Sequence, residues 1–128
     1  FVIVAVVTGA GRGLGQVEAL ELAKLGARVV VNDLGTTGDG SGKDEEPARE
    51  VVEDIKKAGG EAVAHFGDVA DWNDSKSMFE MAISEFGDFN ILVSNAGFCR
   101  DNSIIVRSTS STAAGSSLTM CCAASIDW

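Results

Sequence analysis

Val2-Ile3-Val4-Ala5-Val6-Val7-Thr8-Gly9-Ala10-Gly11-Arg12-Gly13-Leu14-Gly15 is the stretch that decides how this chain folds. An apolar, β-branched run that gives way to a glycine-rich turn reads as a buried strand feeding a helix. Glycines at positions 9, 11, 13 and 15 carry no Cβ, so the turn can take left-handed angles and a ligand can approach the backbone. The helix that follows supplies unpaired N–H donors and the positive end of its dipole, which together stabilise a phosphate without a basic side chain. The turn is therefore a candidate phosphate cradle, built from Thr8, Gly9, Arg12, Gly13, Leu14 and Gly15. The alternative is an ordinary strand-to-helix turn that is glycine-rich by chance, since the bare pattern is short.

Downstream of the turn, Val17, Leu20, Leu22, Ala23 and Leu25 recur at helical spacing and Gly26 supplies a stop. Arg28-Val29-Val30-Val31-Asn32 is a short β-branched run suited to a second parallel strand buried on both faces. Asp33 closes it, about 20 residues beyond the turn, where a carboxylate accepts hydrogen bonds from the ribose hydroxyls of a dinucleotide. The same carboxylate repels a 2′-phosphate, which favours NAD over NADP. Arg12 argues the other way, because a basic residue in the turn can pair with that phosphate. Asp33 carries the greater weight.

Leu34 to Glu46 lacks apolar periodicity and reads as an exposed loop. Pro47 suits a first helical turn, and Ala48, Val51, Val52, Ile55 and Ala58 mark an amphipathic helix that stops at Gly59-Gly60. A third strand over Glu61 to Phe66 includes His65 and leads into Gly67-Asp68-Val69, at the edge where parallel sheets place ligands. On Trp72 to Phe86 the residues Trp72, Met78, Phe79, Ala82, Ile83 and Phe86 form one helical stripe, read as core packing. A fourth strand, Phe89 to Val93, runs into Ser94-Asn95-Ala96-Gly97, whose small residues leave room for a flat ring.

The 128 residues provide for one domain with one core. No apolar run approaches the roughly 20 residues of a membrane span, and the opening run reads as a core strand rather than a signal peptide. The expectation is a soluble protein without a visible targeting signal, cytoplasmic, with the peroxisomal or mitochondrial matrix as alternatives. A net charge of −9 repels phosphate backbones and acidic membrane surfaces, so neither nucleic acid nor a membrane is expected as a partner. Cys99, Cys121 and Cys122 lack metal-ligand spacing and read as free thiols. His65 is the only histidine, which leaves no material for a histidine-dependent triad or a multi-histidine metal site, and no metal is expected.

Taken together, Val2 to Asn102 resembles the short-chain dehydrogenase/reductase family of NAD(P)-dependent oxidoreductases. Thr8-Gly9-x-x-x-Gly13-x-Gly15 is similar to that family's cofactor motif, Asp68-Val69 to its adenine contact, and Asn95-Ala96-Gly97 to its sheet-stabilising motif. The run Val29 to Gly35 and Arg100-Asp101-Asn102 resemble the branch with the 3-hydroxyacyl-CoA dehydrogenase domains of multifunctional β-oxidation enzymes. The resemblance implies an α/β, Rossmann-like fold: a mostly parallel sheet with helices on both faces, stopping after about the fourth or fifth strand. It implies NAD as cofactor, NADP less so, and a small-molecule hydroxyl or carbonyl substrate, with a hydroxyacyl group favoured by the branch. Homo-oligomers would follow if the rest of the fold were present.

The family's chemistry rests on a serine and on a Tyr-x-x-x-Lys pair, and this chain has no tyrosine. Its last lysine is Lys76, well before the family's position. Family register places the serine near Ser111 or Thr112, and Ser111 is the one catalytic candidate carried over. Residues 1–102 are thus expected to form a dinucleotide-binding domain and 103–128 a Ser/Thr-rich tail, either a displaced fifth strand or a polar linker. The expected activity is that of an oxidoreductase's cofactor half, catalytically incomplete. The alternative is a non-catalytic nucleotide-binding or interaction protein derived from the same fold.

Overall fold

A computed structural model of the chain describes residues 2–36 and 42–97. The elements alternate: β1 (Val4–Thr8), α1 (Gly13–Lys24), β2 (Arg28–Asn32), α2 (Glu46–Lys57), β3 (Ala62–His65), α3 (Trp72–Phe86) and β4 (Ile91–Val93). The four strands form one parallel sheet in the order β3-β2-β1-β4. This is a Rossmann-like arrangement, with helices on both faces as expected.

β1 and β2 are central, which explains why their sequences are almost continuously apolar and β-branched. In-register partners Val4↔Arg28 through Thr8↔Asn32 join them. Successive side chains point to opposite faces. Val7, Val29 and Val31 pack with Ala19 of α1 and Ala48, Val51 and Ile55 of α2. Val4, Val6 and Val30 pack on the other face with Met78 and Ala82 of α3, and Phe79, Phe86 and Phe89 flank them. Phe79 and Phe89 meet edge to face, with ring centroids 4.9 Å apart.

Two helical stripes differ from their sequence patterns. On α3, Trp72 is 80% and Ile83 57% exposed, while Met78 and Ala82 are the residues that reach the core. On α1, Val17 and Leu25 face outward and Ala19 is buried in their stead. In each case the apolar residues span more of the helix circumference than a single sheet face covers. Ala58 is also exposed, just past the end of α2. Cys99, Arg100-Asp101-Asn102, the 103–128 segment, Ser111 and the remaining cysteines lie outside the described residues.

Candidate functional site

The carboxyl ends of the strands share one edge, and the chain changes direction between β1 and β4. The helix after β1 covers one face, whereas the helix before β4 covers the other. Such a switch point opens a crevice beyond the strand ends, and the described cofactor candidates lie along this edge of the sheet.

Thr8 ends β1 in a buried position. Its Oγ accepts the N–H groups of Asn95 and Ala96, both at 3.1 Å, and donates to the Val93 carbonyl at 3.4 Å. Asn95 answers through its Nδ2, which donates to the carbonyls of Thr8 at 3.3 Å and Gly9 at 3.2 Å. These bonds clamp the turn after β1 to the turn after β4. Little space is left between them: a Cβ on Gly9, whose φ is +64°, would stand 2.8 Å from Ala96 Cα. One on Gly15 would stand 2.5 Å from Asn95 Nδ2. Only glycine permits this approach.

Gly13 presents the opposite situation. Its φ is +61°, and among the described residues no atom lies within 4 Å of where its Cβ would be. α1 begins there, with Arg12 extended at the N-cap and no side chain capping the helix among the described residues. The first turn, Gly13-Leu14-Gly15-Gln16, carries no acid. A helix start leaves up to four N–H groups without an internal partner, and the dipole's positive end adds to them; here the space beside Gly13 is open.

Asp33 lies at the end of β2, beside the glycine turn. Its Oδ2 accepts the Gly11 N–H at 2.8 Å and its Oδ1 the Gly35 N–H at 2.7 Å, so the carboxylate ties the glycine turn to the end of β2. Each carboxylate oxygen has about two acceptor positions, which leaves capacity for ligand hydroxyls. Gly11, which the sequence reading left out of the candidate set, is thereby part of the site: a Cβ on it would meet Asp33 Oδ2 at 2.7 Å. Arg12 reaches across to Asp44 at 3.5 Å, an exposed ion pair over the same region.

Asp68 and Val69 follow β3 on the adjacent loop. The Asp68 N–H donates to Asp74 Oδ2 at 2.9 Å, and its own Oδ1 accepts the Ala70 N–H at 2.9 Å. Val69 is exposed at the loop's surface. The sequence reading also missed Asp74, whose only signal was an acid in the first turn of α3. Ala96 and Gly97 are exposed beside the glycine turn. An open groove of about 400 Å³ at the other end of the strands, between Lys24, Arg28, Gly60 and Glu61, involves none of the candidate residues.

A profile of the family described as short chain dehydrogenase matches residues 3–114. The chain belongs to the short-chain dehydrogenase family. Its relatives include the peroxisomal multifunctional enzyme type 2 of Drosophila melanogaster, 53% identical over 102 residues that make up 80% of this chain and 17% of that protein. Among solved structures, a short chain dehydrogenase from Mycobacterium avium superposes with a TM-score of 0.68 at 48% identity, covering 77% of this chain and 34% of that one. A 7α-hydroxysteroid dehydrogenase complexed with NADH and 7-oxo glycochenodeoxycholic acid gives a TM-score of 0.66 at 36% identity, covering 74% of this chain and 34% of that one. The chain thus spans about a third or less of the length of these relatives. A short-chain dehydrogenase fold explains why the crevice, the clamp and the uncapped helix start coincide. Among the described residues no helix is long and apolar enough to cross a membrane.

Proposed function

We propose that this chain is the cofactor-holding part of an NAD-dependent oxidoreductase acting on a hydroxyl or carbonyl group. The observation that carries the reading is the start of α1, a glycine turn braced by Asn95 whose helix has no side-chain cap and no first-turn acid among the described residues. A pyrophosphate fits that description in charge and in the space above Gly13. Thr8, Gly9, Gly15, Asn95 and Ala96 would hold the turn in shape, and Arg12, Gly13 and Leu14 would border the phosphates. Asp33 would accept from the adenosine ribose, Asp68 and Val69 would flank the adenine, and Gly97 would leave space toward the nicotinamide. NAD supplies a hydride acceptor when bound. The binding of NADH by the 36%-identical hydroxysteroid dehydrogenase supports this assignment.

Preference for NAD over NADP follows from the charge around Asp33 and from the engagement of Arg12 with Asp44. A hydroxyacyl substrate is favoured by the multifunctional relative and by the Val29 to Gly35 resemblance. The same relative is named peroxisomal, which supports a peroxisomal site over the cytoplasmic one. This chain by itself turns over little or no substrate, because without tyrosine the family's proton-transferring phenol is missing. Calorimetric titration of the purified chain with NADH and NADPH, alongside a dehydrogenase assay on hydroxyacyl thioesters and secondary alcohols, tests both halves. The expected result is saturable NADH binding without turnover. Absence of NADH binding refutes the cofactor reading, and robust turnover refutes the inactivity.

A further inference from the structure

The buried polar residues among those described are Thr8, Asn32 and His65. They are in-register neighbours across β1, β2 and β3, so they form one polar row at the carboxyl edge on the α3 side of the sheet. Thr8 anchors the turn after β4. The other two anchor the loop after β3, and their bonds define a protonation state.

Asn32 Nδ2 lies 3.0 Å from the Gly67 carbonyl and 2.9 Å from His65 Nδ1. A carbonyl can only accept, so the Asn32 atom facing both partners is its N–H₂ group. The Gly67 N–H also points at His65 Nδ1, at 3.2 Å. With two donors aimed at it, Nδ1 must be the unprotonated nitrogen. The proton then resides on Nε2, 2.9 Å from Ser77 Oγ, whose hydroxyl donates onward to the Asp74 carbonyl at 2.8 Å. The peptide leading into Asp68 is thereby gripped at the Gly67 N–H by His65, at the Gly67 carbonyl by Asn32 and at the Asp68 N–H by Asp74.

We infer that His65, held neutral as the Nε2–H tautomer, is a positioning residue that sets the Gly67-Asp68-Val69 loop for the adenosine half of the cofactor. The inference rests on the dinucleotide reading above. A proton on Nδ1 would confront the Asn32 and Gly67 donors with a third, and the Gly67 peptide would have to turn away. The imidazole is thus a latch that acid opens.

The surroundings agree. Burial pushes the His65 imidazole below its ordinary value, with the Asp74 carboxylate on α3 opposing in part. The other nearby charges are engaged elsewhere: Asp33 with Gly11 and Gly35 N–H groups, Asp68 with Ala70, Lys76 with Glu80. From β2 the imidazole meets only the neutral Asn32. Since the folded chain keeps the histidine neutral, the unfolded chain takes up the proton first. Its contribution to stability is intact above about pH 6.5 and declines as pH falls below that value toward the lower folded-state midpoint.

Nuclear magnetic resonance of the full ¹⁵N-labelled chain tests this directly, because His65 is the only histidine and its ring signals need no assignment. Nδ1 should show the acceptor signature and Nε2 the protonated one, and the Gly67 and Asp68 amides should shift with the same midpoint as the ring. Affinity for 5′-AMP should fall at least about threefold more than that for nicotinamide mononucleotide, whose phosphate titrates alike, between about pH 8 and one unit below that midpoint. His65→Asn offers an amide oxygen near the Nδ1 position and no side chain to titrate, so it should keep AMP affinity within about twofold at pH 8 and lose the pH dependence in excess of the mononucleotide's. If that variant does not fold, the wild-type titration stands on its own. Gly67 and Asp68 amides that ignore the ring's titration overturn the latch. Amides that follow it in a chain that binds neither AMP nor NADH overturn the dinucleotide reading instead, and the cofactor role of His65 with it.

Discussion

Two helices of this molecule begin in opposite ways. At the start of α3, Asp71 caps the N–H groups of Asn73 at 2.8 Å and Asp74 at 3.0 Å, and Asp74 adds an acid to the first turn. At the start of α1 the N-cap is Arg12, no side chain caps the helix among the described residues, and no acid occupies the first turn. One helix satisfies its own dipole and the other leaves it open. Caps of the first kind contribute about 1 kcal/mol each, so the absence of one at α1 is a stability forgone. The clamp between Thr8 and Asn95 holds that uncapped start in place. An external anion is the natural partner for donors kept in register but unfilled.

Removing the brace behind α1 has the largest expected effect. Gly15→Val drives a side chain into Asn95 Nδ2 and the Gly9 carbonyl. Such overpacking costs about 1–3 kcal/mol, and chemical denaturation should place this variant at the upper end, with NADH binding lost. An unchanged unfolding midpoint would show that the turn after β4 yields freely. The next effect comes from making α1 resemble α3. Arg12 already has the extended backbone of a cap residue, so Arg12→Asp should satisfy the first-turn N–H groups and stabilise the fold by about 1 kcal/mol. The same carboxylate would occupy the place proposed for the phosphate and repel it, so NADH affinity should drop at least about tenfold, or about 1.4 kcal/mol. Raised stability with unaltered affinity would remove the α1 start from the site.

This contrast was half legible in the sequence. The alternation of elements could be read because β1 and β2 are β-branched runs buried on both faces, and because Pro47, Gly59-Gly60 and Gly67 punctuate the rest. The tight turn between β1 and α1 could be read because four glycines crowd a short stretch just after an apolar strand. The Asp33 bond to Gly11 could not, since it joins residues 22 apart and depends on how β1 and β2 pair. His65 was readable as a strand residue, but its tautomer depends on Asn32, Gly67 and Ser77 arriving from three different segments. Trp72 and Ile83 misled for a simpler reason: an apolar stripe wider than the sheet face leaves its margin outside, and periodicity does not say which margin.

Asp71→Ala uncaps the other helix. Removing this cap orphans two N–H groups at an exposed helix start, for a loss of about 1 kcal/mol in chemical denaturation. NADH affinity should stay within about twofold, because water replaces the lost acceptor and Asp74 still holds Asp68. A large affinity loss would mean that the start of α3 bears on the nucleotide as directly as α1 does.

The smallest effect concerns which nucleotide the proposed site prefers. Arg12 is the one cation in the glycine turn, and Asp44 lies 3.5 Å from it with both side chains more than half exposed, at 60% and 55%. An exposed pair contributes at most about 1 kcal/mol, so Asp44 hinders Arg12 only modestly. Asp44→Asn removes the competing charge and retains an oxygen for the Glu46 N–H, which Asp44 Oδ1 now accepts at 3.0 Å. The freed guanidinium can then offer its paired donors to a 2′-phosphate, while Asp33 continues to oppose that phosphate. The balance should move by a few-fold, no more than about fivefold in the ratio of NADPH to NADH dissociation constants, which corresponds to about 1 kcal/mol. Because the attraction is between charges near the surface, the shift should shrink as salt is raised from about 0.05 M to about 0.5 M. A ratio that does not change at low salt would assign the discrimination to Asp33 alone, and a shift indifferent to salt would point to a change of loop shape instead of released charge.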